Sequence, residues 1–337
     1  MSVGLNEMER YVLEEHIEDF KDGIIGRREL LRRVTFITGG TAASLSVLAT
    51  LGCNVDQPVA RSAAPSAAAP ASAAATAAAA TAAAALPYAS PPPAKTTDGI
   101  TVQEKDPRIV AGKADVKAAD GATLIGYFSR PSAAGRFPGI VVIHENRGTT
   151  EHIRDVTRRF ATAGFAAVAI DVLSRSGGAD KLTDAAAYAA ELAKRALPEQ
   201  VADEKAALDF LKAQPQVDAA RIGMTGYCFG GGVTFACVSA GLDLKAAVPF
   251  YGPKPADISG LAKTKTAVLG VFGAEDTRVN AGIPDLEAAL KQAGVPVLMK
   301  QYPGANHAFH NDTGDRFVSQ QARLAWVDTI EWFRKYL

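Results

Sequence analysis

The stretch Gly223-Met-Thr-Gly-Tyr-Cys-Phe-Gly-Gly-Gly232 constrains this chain more than any other. Arg221-Ile-Gly-Met-Thr225 is an apolar, β-prone run, and Gly231 to Ala240 is a segment of small residues with helical character. Between them lies Gly226-Tyr-Cys228-Phe-Gly230. The order strand, tight turn, helix puts Cys228 at the apex. Larger side chains at Gly226 and Gly230 would collide with the neighbouring strand and helix, so the glycines permit a turn that lifts the thiol to the mouth of a sheet. The N–H of Phe229, at the helix N-terminus, points to where an oxyanion would form. A buried structural cysteine in a glycine-rich turn shows the same local pattern, since free cysteine is among the most buried residue types. Chemistry at Cys228 therefore requires a base, an orienting acid and a second oxyanion donor from elsewhere in the chain.

From about Gly99 onward the pattern is that of one globular domain. Ala114 to Gly121 and Ala122 to Ser129 form a hairpin about Asp120-Gly121. Gly139–Ile143, Phe165–Ile170, Leu244–Phe250, Ala267–Phe272 and Val295–Tyr302 read as strands, in addition to the one before Cys228. Helices are expected over Glu151–Ala163, Ala185–Ala196, Glu199–Lys212 with Pro198 at the break, Ile283–Ala293, and Phe317–Tyr336. In the last, Leu324, Trp326, Val327, Ile330 and Phe333 face the core. Val- and Ile-rich strands alternating with helices give an α/β fold, a mostly parallel sheet of about eight strands with helices on both faces. In such sheets function gathers at the carboxyl ends of the strands.

The missing partners lie there. Gly273-Ala-Glu-Asp276 follows one strand and Gly304-Ala-Asn-His307 follows the last. The order Cys228, Asp276, His307 is the nucleophile, acid, histidine order of α/β-hydrolases. His307 is the candidate base and Asp276 its orienting acid, with Glu275 as the nearby competitor. The second oxyanion donor is expected from the loop His144-Glu145-Asn146-Arg147-Gly148, at the N–H of Asn146. Tyr251 is a candidate for the pocket wall. Cys237 lies nine positions after Cys228, on the opposite face of an ideal helix, and reads as a small core residue. Met224 and Phe229 read as packing. His144, His307 and His310 have no third-ligand pattern, so no metal is expected.

These residues carry a resemblance. His144-Glu145 with Gly148, Asp171-Val-Leu-Ser-Arg175, Gly226-Tyr-Cys-Phe-Gly-Gly231, Phe250-Tyr-Gly252, Gly273-x-x-Asp276 and His307-x-Phe309 together resemble the dienelactone hydrolase family of α/β-hydrolases. The resemblance covers residues 99–337. It implies a Cys-His-Asp triad that cleaves lactones or related esters without metal or organic cofactor. It assigns Glu145 to a carboxylate that pairs with the resting thiol, and Arg175 to a contact with a substrate carboxylate. The family's second such arginine falls at Asn311, so Arg147 or Arg316 must substitute if that contact is to exist. A thioesterase or general carboxylesterase on the same site is the enzymatic alternative. A non-catalytic binding protein anchored in the envelope is the other.

The N-terminal third differs in composition. Residues 1–33 are charged, and Val12, Leu13, His16, Ile17, Phe20 and Ile24 recur at helical spacing. Gly26-Arg-Arg-Glu-Leu-Leu-Arg-Arg33 then precedes the uncharged run Val34 to Leu51. Paired arginines before a moderately apolar segment read as a Tat-type export signal over residues 1–53, with the Tat machinery as partner and a periplasmic or cell-envelope destination. Cys53, after Thr50-Leu-Gly52, is a candidate for a lipid anchor to the membrane. Residues 54–98 are rich in Ala, Pro, Ser and Thr and read as a disordered spacer. The 36 basic and 36 acidic residues balance, which argues against a nucleic-acid partner. Three cysteines are too few for a disulfide framework.

Overall fold

In a computed structural model, residues 5–53 and 101–337 are described. The proposed spacer lies outside them. The helices are α1 (Glu7–Lys21), α2 (Arg27–Thr38), α3 (Thr41–Thr50), α4 (Glu151–Thr162), α5 (Ala185–Ala193), α6 (Leu197–Ala213), α7 (Phe229–Ser239), α8 (Ile283–Gln292) and α9 (Ser319–Tyr336), besides some short turns. The strands are β1 (Ile109–Lys117), β2 (Thr123–Pro131), β3 (Phe137–Ile143), β4 (Ala166–Ile170), β5 (Val217–Tyr227), β6 (Ala246–Phe250), β7 (Ala267–Gly273) and β8 (Val297–Tyr302).

The described residues fall into two units. One comprises residues 101–181 and 197–337. Its sheet has the order β1-β2-β4-β3-β5-β6-β7-β8. The hairpin β1–β2 and the β2–β4 pair are antiparallel, and every later pair is parallel. The Asp-Gly turn forms where expected, with Gly121 at φ 84°. Adjacent residues of the buried strands serve opposite layers, because side chains alternate across a sheet. Gly139 is directly paired with Ile222, and a methyl group there would meet Leu211 of α6. Gly223, the next residue along β5, faces Phe333 of α9. Phe160 of α4 packs on Trp326 at a centroid distance of 4.8 Å and on Phe333 at 5.9 Å, joining α4 and α9 in one layer.

Two details of the sequence reading change here. Pro198 lies inside the first turn of α6 and does not break a helix, because a first-turn N–H has no intrahelical acceptor to lose. In α9 it is Ala325 that is buried beside Trp326, whereas Leu324 is half-buried.

A buried polar network crosses this unit. Asp155 of α4 accepts from the N–H and hydroxyl of Thr101, at 2.9 and 2.6 Å, and from the N–H of Val102 at 2.8 Å. Arg159 bridges Asp155 and Asp312, each at 2.5 Å. His152 also reaches Asp312, at 3.0 Å. Arg158, fully buried, donates to the carbonyl of Val102 and to the Tyr127 hydroxyl. Charges this deep persist because they are paired and hydrogen-bonded.

The second unit comprises residues 5–53 with residues 182–196. Leu13, Ile17, Phe20, Ile25, Leu30, Val34, Val47, Leu48 and Cys53 form its core. Ile24 does not continue the stripe of α1. The helix ends at Asp22, Gly23 turns with φ 72°, and Ile25 takes the buried place. The uncharged run is divided at Gly39-Gly40 into the end of α2 and α3. Asn6 donates to the carbonyl of Ala193 at 3.1 Å, and Arg32 pairs with Asp184 at 2.7 Å, so α5 is tied to the N-terminal helices at both ends. Cys53 is buried, which pushes its thiol pKa up. No helix among the described residues is long and apolar enough to cross a membrane.

Candidate active site

The sequence order of β5, the apex residue and α7 sets the first element of the site. Cys228 has φ 57° and ψ −119° and serves as N-cap of α7. A methyl group on Gly226 would lie 2.1 Å from the carbonyl oxygen of Gly230, and one on Gly230 would lie 2.6 Å from those of Ile143 and His144. The turn can therefore close only with glycine at both places. Phe229 becomes the first residue of the helix, and its N–H is among those an α-helix leaves without an intrahelical acceptor.

Among the described residues, only Cys228, Tyr251 and Ala308 are non-glycine residues with positive φ, at 57°, 36° and 60°. Cys228 directly follows β5, Tyr251 directly follows β6, and Ala308 adjoins His307. Such conformations cost on the order of 1–3 kcal/mol each and persist where surrounding structure imposes them. Here they surround one site.

His307 and Asp276 meet, with Nδ1 of the imidazole 2.6 Å from Oδ2 of the carboxylate. The other carboxylate oxygen accepts from the N–H of Val279 at 3.1 Å, which fixes the group from both sides. Burial disfavours a charged imidazole, yet the charges of Asp276 and Cys228 and the hydrogen bond to Asp276 hold the His307 pKa well above its ordinary value. Burial likewise opposes ionisation of Asp276, but the His307 charge and hydrogen bond outweigh it and leave the carboxyl below its usual range. Glu275, the competitor for the acid role, is exposed and does not face the imidazole bond. The Tyr251 ring lies 5.1 Å from that of His307, and its hydroxyl is buried.

The β3 loop behaves differently from expectation. Glu145 is buried, but its Oε2 accepts from Nδ2 of Asn311 at 2.6 Å and its Oε1 has no hydrogen-bonding partner among the described residues. The resemblance implied a resting pair between Glu145 and the thiol; instead an amide holds the carboxylate. Asn146 is partly buried, and Arg147 is exposed.

Arg175 is ion-paired. Its guanidinium donates to Asp120 at 2.8 and 3.1 Å and to Asp203 at 2.7 Å. Two carboxylates thus hold the one cation. These partners lie 55 and 28 positions away, beyond the reach of any local pattern.

His144 has a structural role that the residue types did not disclose. Its Nε2 accepts from the N–H of Val172 at 3.2 Å, its Nδ1 faces the carbonyl of Glu145, and its ring stacks on Phe229. Burial lowers its pKa, which keeps it neutral with the proton on Nδ1. The signal available was its place at the end of a buried strand, beside Glu145. His310 is fully buried among Tyr227, Phe250 and Trp326, and burial brings its pKa down to about 3. Cys237, Met224 and Phe229 are core residues.

Residues 124–337 match the dienelactone hydrolase family. A protein of Methylorubrum extorquens, provisionally named a carboxymethylenebutenolidase, is 34% identical over 239 residues, spanning 68% of this chain and 82% of its own. A Klebsiella pneumoniae protein provisionally named a dienelactone hydrolase superposes with a TM-score of 0.63 at 29% identity, over 68% of this chain and 99% of its own. The dienelactone hydrolase-like promiscuous phosphotriesterase P91 superposes with a TM-score of 0.55 at 26% identity, over 68% of this chain and 99% of its own. With the elbow, the sheet order and these likenesses together, the chain belongs to the dienelactone hydrolase family and is a hydrolase of carboxylic esters or lactones.

Proposed function

We propose that the reaction proceeds through an acyl-enzyme on Cys228. The observation that carries this reading is the 2.6 Å bond from His307 to Asp276, with a ring nitrogen of His307 within 4.8 Å of a thiol held at a strained strand–helix turn. His307 takes the thiol proton as Sγ attacks the carbonyl carbon, and the developing oxyanion is received by the N–H of Phe229 and that of Asn146. The carbon–oxygen ester bond breaks as His307 protonates the leaving alkoxide. His307 then takes a proton from water, hydroxide attacks the thioester, and the acid leaves as the thiol is restored. Asp276 keeps the imidazole oriented and stabilises its charged form. In a lactone the alkoxide and the acyl group remain one molecule, so ring opening yields a single hydroxy acid.

Quenching turnover of an aryl ester and digesting the protein tests this reading. The acyl mass is expected on the peptide that contains Cys228, and none in Cys228→Ala. An adduct on Ser174 or Ser239 would overturn the mechanism. Including an acyl thioester in the same screen shows whether the site is better suited to thioester cleavage.

For the N-terminal segment we infer export. Arg27 and Arg28 open α2 and are exposed, where two positive charges oppose the helix dipole. A paired arginine displayed ahead of a moderately apolar segment is what an export machinery of the Tat type reads. Changing both to lysine is expected to stop delivery outside the cytoplasm; unchanged delivery refutes the inference.

A further inference from the structure

We propose that Asn311 sets the charge this site accepts, making it a site for uncharged acyl groups. The proposal rests on the hydrolase reading above and deepens it. Strand register brings the ends of β3 and β5 side by side. Ile143 of β3 pairs with Gly226 of β5, and Glu145 and Cys228 each follow two residues later, in the segments that leave those neighbouring strand ends. The charges of both Glu145 and Cys228 act on the buried Tyr251 hydroxyl, which agrees with that placement.

The amide of Asn311 cannot turn round. Its Oδ1 accepts from the N–H of Thr313 at 3.0 Å and from the Thr313 hydroxyl at 2.6 Å. Nδ2 is thereby directed at Glu145, at 2.6 Å. This contact orients the carboxylate but brings no charge to it. Glu145 is therefore a buried carboxylate with one oxygen bonded by a neutral donor and the other without a partner among the described residues.

Arg175 is held by Asp120 and Asp203, and Arg147 is exposed, where solvent and salt screen it. A carboxylate on the acyl group would approach Cys228 beside a like charge in a poorly solvated place. An uncharged acyl group meets no such opposition, and one bearing a hydroxyl or N–H can satisfy Oε1 of Glu145.

The test separates this inference from the hydrolase reading by using two readouts. The first needs no ester: the rates at which Cys228 is alkylated by iodoacetate, an anion, and by neutral iodoacetamide. Asn311→Arg, which pairs Glu145 with a cation, is expected to raise the iodoacetate-to-iodoacetamide rate ratio roughly tenfold. Glu145→Gln, which removes the charge at nearly constant shape, is expected to raise it severalfold. Asn311→Gln, which retains the amide, is expected to leave the ratio near its original value. An unchanged ratio in both Asn311→Arg and Glu145→Gln overturns the proposal, and the second variant decides if the first fails to fold. The second readout is kcat/KM for an aryl butyrate and for the aryl hemisuccinate. The uncharged ester is expected to be preferred, with the preference narrowing in Asn311→Arg; a preference for the hemisuccinate in the unaltered protein overturns the proposal. If the unaltered protein turns over neither ester nor any other, the acyl-enzyme reading fails, while the alkylation ratio still decides the role of Asn311.

Discussion

Asp276→Asn lowers kcat for ester hydrolysis by roughly ten-thousandfold, the scale seen when an orienting carboxylate becomes an amide in the serine-protease triad. The amide is nearly the same shape, so the loss reports charge and tautomer and not packing. Asp276 now accepts from Nδ1 of His307 and from the N–H of Val279. An amide in its place can turn its NH2 toward Nδ1 and trap the proton on the other nitrogen, where it faces the thiol. Titration of the His307 ring by NMR should show its pKa falling, because the charge that holds it up has gone. His307 has a raised folded-state pKa, so its contribution is complete below the unfolded value of about 6.5 and is lost as pH rises through the folded value. Asp276 has a lowered one, so its contribution is present above about 3.9 and is lost as pH falls through the folded value. The pair stabilises the fold most between these limits, and Asp276→Asn should flatten the stability profile across both edges. Activity within tenfold of the unaltered enzyme would remove Asp276 from the mechanism.

Arg159→Met destabilises the fold by about 3–5 kcal/mol, read from urea unfolding. Methionine fills much of the volume, so the cost arises from Asp155 and Asp312, which are left as buried carboxylates without their shared cation. Adding Asp312→Asn to Arg159→Met removes one of the stranded charges and should recover part of the loss. A double variant no more stable than Arg159→Met shows that packing, not charge, accounts for the effect. His152, Asp312 and the first described residues of the domain, Thr101 and Val102, belong to the same network. Asp312 follows Asn311 directly, so the network also anchors the loop that carries the Glu145 partner.

Much of the sheet could be read in advance because its evidence is local. Runs such as Ile140-Val-Val-Ile143 and Phe165-Ala-Ala-Val-Ala-Ile170 suit strands buried on both faces, and Gly226 and Gly230 mark a turn that only glycine permits. Asp276 and His307 were legible because each follows such a strand in the order the chemistry needs. Arg175 was not, because its partners depend on where the hairpin turn and α6 lie in space. Asn311 stood out in sequence as a missing arginine, but its bond to Glu145 spans 166 positions and no periodicity reports it. Helix α4 hid the network similarly: Asp155, Arg158 and Arg159 look like a solvated face, and only tertiary packing makes them interior.

The N-terminal unit is discontinuous, and this sets an order on synthesis. Helices α1 to α3 leave the ribosome early, but the unit they belong to also contains residues 182–196. Asn6 and Arg32 find Ala193 and Asp184 only after the intervening chain has been made. Bringing the ends of a flexible loop of about 130 residues together costs roughly 4 kcal/mol in chain entropy, less once the intervening segment has itself folded. The first residues translated are thus among the last to complete their contacts, and until then they remain available to whatever receives a nascent chain.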